Sequence, residues 1–247
     1  MNRGIISELF TEEQKETSLE IINKYLKHPD GVRLMDKTVP YHGGDNTYFT
    51  RAETAANFGR EIGLQYCHAH IRYCEALAKV GLDNELYSGL LTINPFIVNE
   101  FVKNAEIRQR NSYFSSSDGA FYNRYEAMKD YDKLRTGEIK VKAGWRVYSS
   151  GPGIYLNQLI SNMLGLRLQG DKFILDPVLP ESLNNLEFTY RILGKDVTIK
   201  YVKANDRKVV INGNLVSYET ENRKYRTGGM IVDTKYLNES NVIEVYF

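Results

Sequence analysis

The spacing of apolar residues predicts that the first two thirds of the chain are mainly helical. The segment Thr11-Glu-Glu-Gln14 has the pattern of a capping box, and the helix it opens is expected to end at the His-Pro-Asp-Gly stretch, 28–31. A strong helix is predicted over 60–81, with Gly81 as its C-cap. Shorter helices are predicted over 85–93 and from residue 153 to 167.

Two long stretches, 32–58 and 96–148, have no single period. Both are rich in polar and aromatic residues, and the first also contains a Gly-Gly pair. Loops of this length in a compact domain are usually functional or disordered. We expect them to carry binding residues or to be loops exposed to solvent.

After Arg167 the pattern changes to short β-branched and aromatic runs separated by turn signals such as Asn-Gly-Asn at 212–214 and Gly-Gly at 228–229. This is typical of an antiparallel β-sandwich. The sequence therefore predicts an α+β chain with a helical part, 1–167, and a β-sandwich domain, 168–247.

Composition changes this picture little. The chain has 247 residues, 42% of them hydrophobic, and a net charge of +1, with no basic block, so a nucleic-acid partner is not expected. Its 18 tyrosines combine a flat apolar face with a hydroxyl, which suits sugar binding but also ordinary packing. The N-terminus lacks the apolar core of a signal peptide and no segment reaches membrane-spanning length, so we expect a cytoplasmic protein.

Cysteine and histidine residues are concentrated in the helix predicted over 60–81. Cys67 and Cys74 are seven residues apart, roughly 10 Å along a helix, which is too far for a disulfide, so buried thiols are expected. On a helix His68 and His70 point in opposite directions, which argues against a shared metal ion. One of them can face a cavity while the other packs, and a purely structural role is equally compatible with the spacing.

Two further segments could bind an anion or a sugar. Glu61 lies two helical turns before His68, with Gln65 between them. A glutamate in a first helical turn can also be there simply because the helix macrodipole stabilises a negative charge at that end. Ser149, Ser150 and the glycine after them precede a predicted helix, which makes them either a plain turn or an anion cradle.

The block Arg-Gln-Arg-Asn-Ser-Tyr-Phe-Ser-Ser-Ser-Asp, 108–118, is a third candidate. It is either a solvated loop with Asx and Ser turns or a sugar-contacting loop that uses Arg110. A hydrolase with Asp118 or Glu126 as its acid is a weaker hypothesis, because no second carboxylate is paired with either at a defined spacing.

Three ordered motifs resemble the cellobiose phosphorylase family of inverting glycoside phosphorylases. They are "REIGLQYCH" at 60–68, "YSSGPGIYLNQLISNMLGLR" at 148–167 and "GLRLQGDKFILDPVLPESL" at 165–183. The stretches "VPYHGGDNTYF" and "RNSYFSSSDGAF" look closest to the 1,2-β-oligoglucan phosphorylase branch. The resemblance spans nearly the whole chain.

The resemblance implies site residues and a reaction. Inorganic phosphate would be the co-substrate, with no other cofactor and no metal, and a β-glucoside would yield α-glucose 1-phosphate. The implied phosphate-binding residues are His68, Ser149, Ser150 and Gly151. It also implies that Arg60 and Glu61 bind the acceptor-side sugar, and the remaining substrate-binding candidates, from the loops and from the helix predicted over 60–81, are Tyr41, His42, Gln65 and Arg110.

The family architecture is an N-terminal β-sandwich, a helical linker, an (α/α)6 barrel and a small C-terminal β domain, and the family's acid is an Asp in a barrel segment next to a Trp. The sole Trp here is Trp145, inside the phosphate-loop motif. We therefore expect the last barrel helices and the β domain without the acid, and little or no activity alone. An upstream polypeptide could supply the rest, and a homodimer is possible by family. The alternatives are a non-catalytic carbohydrate-binding or scaffold module and a truncated gene product.

Overall fold

The computed structural model describes residues 1–37, 63–144 and 150–247. The chain divides into two compact units, the first formed by 1–76 and 88–155, the second by 77–87 and 156–247. Helices and several sheets are both present, so the α+β class is confirmed. That the helices belong to a barrel stays a prediction.

The first unit begins with two helices, α1 (Asn2–Ile6) and α2 (Glu12–Ile21). Thr11 and Gln14 form the predicted capping box, because each side chain bonds the other's backbone N–H. A π-helical turn, Ile22–Leu26, continues α2, and the strands β1 (Lys27–His28) and β2 (Gly31–Val32) follow as a hairpin. The predicted end of this helix before 28–31 is confirmed.

The helix predicted over 60–81 is shorter than its periodicity indicates. Strand β3 (Leu64–Tyr66) comes first, and helix α3 runs over Cys67–Val80, with Gly81 left-handed after it at φ +79°. Strand β3 pairs with β4 (Ser116–Gly119), which pairs with β5 (Val141–Ala143), all antiparallel. This pairing with distant strands overrides the local helical period and places Gln65 on a strand.

Between 82 and 144 the chain forms three helices: α4 (Asp83–Thr92), α5 (Val98–Phe101) and α6 (Arg124–Thr136). Helix α6 is capped by Asn123, whose side chain accepts from two backbone N–H groups, and ends at the left-handed Gly137. The interpretation of 108–118 as a solvated loop is wrong for its serines, because Ser115, Ser116 and Ser117 are buried. Strand β4 is the middle of its sheet, which explains their burial.

The core of the first unit joins α3, α6 and the small sheet. Its buried members are Cys67, Ile71, Ile93, Val98, Val102, Phe114, Tyr131, Leu134 and Val141. Burial of this apolar surface is what holds the short strands in place, since three-residue strands alone have few hydrogen bonds.

Helix α7 covers Ser150–Asn157 and continues as a π-helical segment, Gln158–Met163. The sequence predicts a start near residue 153, and the helix begins three residues earlier, at Ser150. Gly151 and Pro152 belong to its first turn, where proline is tolerated because the first N–H groups have no intrahelical acceptor.

The second unit contains two sheets. One has the order β11-β10-β14-β9-β8 and the other β12-β13-β7-β6. The strands are β6 (Leu166–Gln169), β7 (Lys172–Leu175), β8 (Glu187–Ile192), β9 (Lys195–Val202), β10 (Lys208–Ile211), β11 (Asn214–Val216), β12 (Glu219–Thr220), β13 (Met230–Asp233) and β14 (Ser240–Tyr246). Strand β9 alternates buried and partly exposed residues, as expected in a two-layer β-structure.

The prediction that all these strands are antiparallel is wrong for one pair. Strands β9 and β14 are parallel over seven residue pairs, from Asp196 with Ser240 to Val202 with Tyr246. Parallel neighbours require a crossover connection, which here is the chain between β9 and β14 that also forms β10 to β13.

Candidate functional site

The two histidines of α3 have different surroundings. His70 is buried: its Nδ1 accepts from the Val32 N–H at 3.0 Å and its Nε2 lies 2.8 Å from the Gly89 carbonyl oxygen. Burial lowers the pKa of His70, so the ring is a neutral packing group. His68 makes no hydrogen bond to another residue that the structure describes. The hypothesis that one histidine packs while the other faces a cavity is confirmed.

His68 faces an open pocket of about 390 Å³. The lining residues come from α1, β3 and α3, and are Met1, Asn2, Arg3, Tyr66, His68, Ala69 and Arg72. Desolvation first, and then the charges of Arg72 and Arg3, lower the pKa of His68. The imidazole is therefore neutral at neutral pH and can donate one hydrogen bond in a cationic pocket.

Tyr113 lies between the first residues of two helices. Its hydroxyl hydrogen-bonds the thiol of Cys67, the first residue of α3. On the other side it is so close to Gly151 that a Cβ there would lie 1.8 Å from the Tyr113 oxygen. Only glycine fits this approach, so one tyrosine brings together the N-terminal ends of α3 and α7.

Cys67 and Cys74 are free and buried, as the sequence predicted. Burial raises the pKa of each thiol to about 12. A thiol that stays protonated is a poor nucleophile, so neither cysteine is equipped for covalent catalysis.

The buried ion pair of Arg33 and Asp30 is hydrogen-bonded to strand β4 through Ser117. Arg33 and Asp30 form two hydrogen bonds of 2.6 and 3.0 Å, and the Arg33 Nε donates to the Gly63 carbonyl at 3.2 Å. Burial opposes ionisation of Asp30, but Arg33 outweighs it and holds the pKa of this carboxyl below its usual value. Ser117 also bonds Asp30 and accepts from Arg108 at 2.8 Å.

Two side chains of this sheet have polar atoms that lack a hydrogen-bond partner. The Oδ1 of Asp118 is buried without one, and burial raises the pKa of this carboxyl to about 6. Gln65 is fully buried; its Oε1 accepts from the Cys67 thiol at 3.5 Å, whereas its Nε2 has no partner.

Two other candidate residues, Arg110 and Glu126, already have partners within the described chain. Arg110 is an exposed side chain that pairs with the exposed Glu100 at 2.7 Å. Glu126 accepts from the Tyr122 backbone N–H at 2.6 Å next to the start of α6, which is a capping role. The capping contact of Glu126 does not suggest an acid catalyst, and the pair with Glu100 leaves Arg110 less available for a sugar.

Tyr41, His42, Arg60, Glu61 and Ser149 lie outside the described residues, and their roles stay predictions. The proposed alignment of Glu61 with His68 on one helix face is not supported, because α3 begins only at Cys67. Among the described residues no group of three or more His, Cys, Asp or Glu side chains could hold a metal ion. None of their helices is long and apolar enough to cross a membrane.

Several residues around these candidates carry no distinguishing pattern in the sequence. Arg33 lies in the unpatterned stretch 32–58, Asp30 belongs to the predicted helix stop at 28–31, and Tyr113 is one of many tyrosines. Arg72 is four residues after His68, a helical neighbour spacing that could have pointed to it. Arg3 is distant in sequence and carried no signal.

Comparison with known proteins shows which proteins this chain resembles. Residues 165–246 match the family model of the glycoside phosphorylase C-terminal domain. Over 237 residues the chain is 49% identical to a 1,2-β-oligoglucan phosphorylase of Listeria innocua serovar 6a, an alignment that covers 96% of this chain and 22% of that protein. The resemblance to glycoside phosphorylases is confirmed. The chain spans about a fifth of the length of this curated relative.

Proposed function

We propose that this chain is the C-terminal part of an inverting glycoside phosphorylase that cleaves β-glucosides with inorganic phosphate. The substrates proposed are β-1,2-glucooligosaccharides, since the Listeria innocua relative is a 1,2-β-oligoglucan phosphorylase. The product is α-glucose 1-phosphate. In this proposal the chain supplies binding residues, and the general-acid Asp lies in a part of the protein outside this chain.

The observation that carries the proposal is the contact of Tyr113 with both Cys67 and Gly151. It brings the N-terminal ends of α3 and α7 to one side chain. A helix N-terminus carries the positive end of the helix dipole, which favours an anion, and its unpaired N–H groups can donate to one. In α3 the Cys67 N–H already donates to the Ser115 carbonyl oxygen at 2.9 Å, so the donors are the N–H groups that follow it. His68, one residue into α3, adds a neutral imidazole that can donate a hydrogen bond.

These groups suit phosphorolysis because phosphate is already an anion at neutral pH and needs no protein base. One phosphate oxygen attacks the anomeric carbon, the bond to the leaving sugar oxygen breaks, and an acid protonates that oxygen. The protein must neutralise and orient the phosphate. Pro152 has no N–H, so the backbone donors in the first turn of α7 are those of Ser150, Gly151 and Gly153.

We assign the acceptor sugar to Arg60, Glu61, Tyr41 and His42, and also to Gln65 through its unpartnered amide. Arg110 is the least supported member of the proposed set, because Glu100 already neutralises it. Completion of the site by an upstream polypeptide, a cytoplasmic location and a homodimer belong to the same proposal.

The test replaces the matching region of the Listeria innocua phosphorylase with this chain and measures release of α-glucose 1-phosphate from β-1,2-glucooligosaccharides and from cellobiose. We expect activity from the chimera and none from the chain alone, because an acid typically contributes about 10² to 10⁴-fold. Activity of the chain alone would show that it contains its own acid. An inactive but folded chimera would favour a non-catalytic binding module.

Variants of the chimera test the individual residues. His68→Ala and Ser150→Ala should raise the KM for phosphate, whereas Glu61→Gln should mainly weaken use of the acceptor sugar. Lys129→Met, on the exposed surface of α6, is the control. Unchanged phosphate kinetics in the first two variants would refute their assignment.

A further inference from the structure

The pocket of His68 is lined by two arginines that the phosphate-binding motifs of the sequence do not include. Arg72, one helical turn after His68 on α3, lines it, and so does Arg3 from α1. No carboxylate is among its described lining residues. Both arginines line the same pocket as His68, so a ligand bound there lies beside all three side chains.

Arg72 is held in place while part of its guanidinium remains available. Its Nη1 donates to Glu75 Oε2 at 2.6 Å, an i,i+3 pair on α3. Its Nε is shielded from solvent and so is not a donor for a ligand in the pocket. Its Nη2 makes no hydrogen bond to another described residue and can donate a charge-assisted hydrogen bond to an oxyanion.

Arg3 differs from Arg72 in being unrestrained. It is exposed, and none of the ion pairs among the described residues involves it. An arginine that is free on one wall and an arginine that is fixed on the other can contact a tetrahedral anion from two sides.

We propose that Arg72 and Arg3 are phosphate-binding residues that complete the pocket of His68. The proposal rests on the proposed function and extends it, since the phosphate motifs contain neither arginine. His68 donates one hydrogen bond, Arg72 supplies the charge-assisted bonds from its fixed guanidinium, and Arg3 closes over the anion from α1.

The test is a titration of the His68 ring in the full chain, followed by NMR with and without inorganic phosphate at constant ionic strength. The charged or titratable groups that face this ring are Arg72 on α3, with Glu75 bound to it, Arg3 of α1 and Tyr66 of β3. Phosphate should raise the pKa of His68, since an anion favours the imidazolium.

Arg72→Met should weaken phosphate binding, read from the same shifts, about tenfold or more, because a charge-assisted hydrogen bond is lost. Arg72→Lys should retain part of the affinity because it keeps the charge but not the planar fork. Arg3→Met should have a smaller effect in the same direction. Lys129→Met removes one positive charge from the surface of α6 and should leave binding unchanged.

The outcomes separate this proposal from the proposed function. If phosphate shifts His68 equally in the wild-type chain, Arg72→Met and Arg3→Met, the arginines are not ligands, although the role of His68 stands. If phosphate leaves the wild-type ring unchanged while the chimera is active, the pocket is not the phosphate site and this inference is overturned. If Arg72→Met loses the native NMR spectrum, Arg72→Lys becomes the deciding variant. An undiminished affinity of Arg72→Lys for phosphate would contradict the proposal.

Discussion

At the scale of single residues, burial alone separates side chains that look equivalent in the sequence. His68 and His70 are two positions apart, yet one faces a pocket and the other bonds Val32 and Gly89. Their helical spacing predicts that they point apart but not which one is enclosed. That choice depends on the β1–β2 hairpin and α4, which supply the Val32 N–H and the Gly89 carbonyl that bond His70.

Asp118 gives a prediction at this scale. Its folded-state pKa of about 6 lies above the model-peptide value of 3.8, because burial disfavours the carboxylate. Between these values the folded chain binds more protons than the unfolded chain, so this group makes stability fall as pH rises. We expect Asp118→Asn to raise the thermal midpoint relative to wild type at pH 8, and this advantage to shrink towards pH 4.

Asp206→Asn is the matched control, because it makes the same carboxylate-to-amide change at an exposed position. Thermal unfolding followed by circular dichroism from pH 4 to 8 measures both variants. A pH-independent difference for Asp118→Asn would show that its carboxyl ionises as it does in the unfolded chain.

At the scale of elements, the first turn of α7 depends on the absence of a side chain at Gly151. A Cβ there would meet the Tyr113 ring and hydroxyl at 1.8 to 2.4 Å, whereas one at Gly153 would have no atom within 4 Å. Gly151→Ala should therefore destabilise the chain by about 1–3 kcal/mol, as overpacking does. Gly153→Ala should be neutral or stabilise by up to about 1 kcal/mol, because alanine favours a helix.

Urea unfolding of the two variants measures this difference. Adding Tyr113→Ala should make Gly151→Ala cost less than it does in the wild-type background, since the clashing atoms are gone. If the effects of Gly151→Ala and Tyr113→Ala simply add, the close approach of tyrosine and glycine is not the cause.

Helix α3 begins at Cys67, later than its helical period predicts, because of a contact with a distant strand. The helical period over 60–81 continues through residues 64–66, but these residues pair with β4 instead. Hydrogen bonds to a distant strand outweigh the local preference. No local sequence pattern indicates that residues 64–66 will pair with β4, which follows about 50 residues later.

At the scale of the whole molecule, the second unit is built from two separated pieces of chain, 77–87 and 156–247. Arg226 joins them: its Nε donates to the Ala78 carbonyl at 3.0 Å, while Nη1 and Nη2 donate to Asp176 at 2.6 and 2.7 Å. Asp176 is buried, and Arg167 binds the same carboxylate at 3.1 Å. The C-terminal β domain therefore includes the end of α3 in its packing.

Arg226→Met should lower the free energy of unfolding by about 1.5–3 kcal/mol, because a buried carboxylate loses charge-assisted hydrogen bonds while Arg167 still neutralises part of it. Arg191→Met, which breaks an exposed pair with Asp196, should cost less than about 1 kcal/mol. Guanidinium chloride unfolding of the full chain compares the two. Equal costs would mean that the link to Ala78 and Asp176 adds nothing to a surface ion pair.

The sequence by itself determined the α+β class, the capping box at Thr11, the Gly81 end of α3, the buried thiols and the change to β-structure after Arg167. Each of these depends on local residue preference or on spacing along one element. Its motifs were also sufficient for the resemblance to glycoside phosphorylases, which the match over 165–246 supports.

Only the tertiary structure decided which residues meet. The parallel pairing of β9 with β14, the contact of Tyr113 with Cys67 and Gly151, and the pocket shared by Arg3, His68 and Arg72 join residues that are far apart in sequence. Such contacts are selected by the burial of a common core and by shape, which no periodicity along the chain encodes. For this reason the sequence indicated phosphate chemistry at His68, while the charges around it emerged only from the fold.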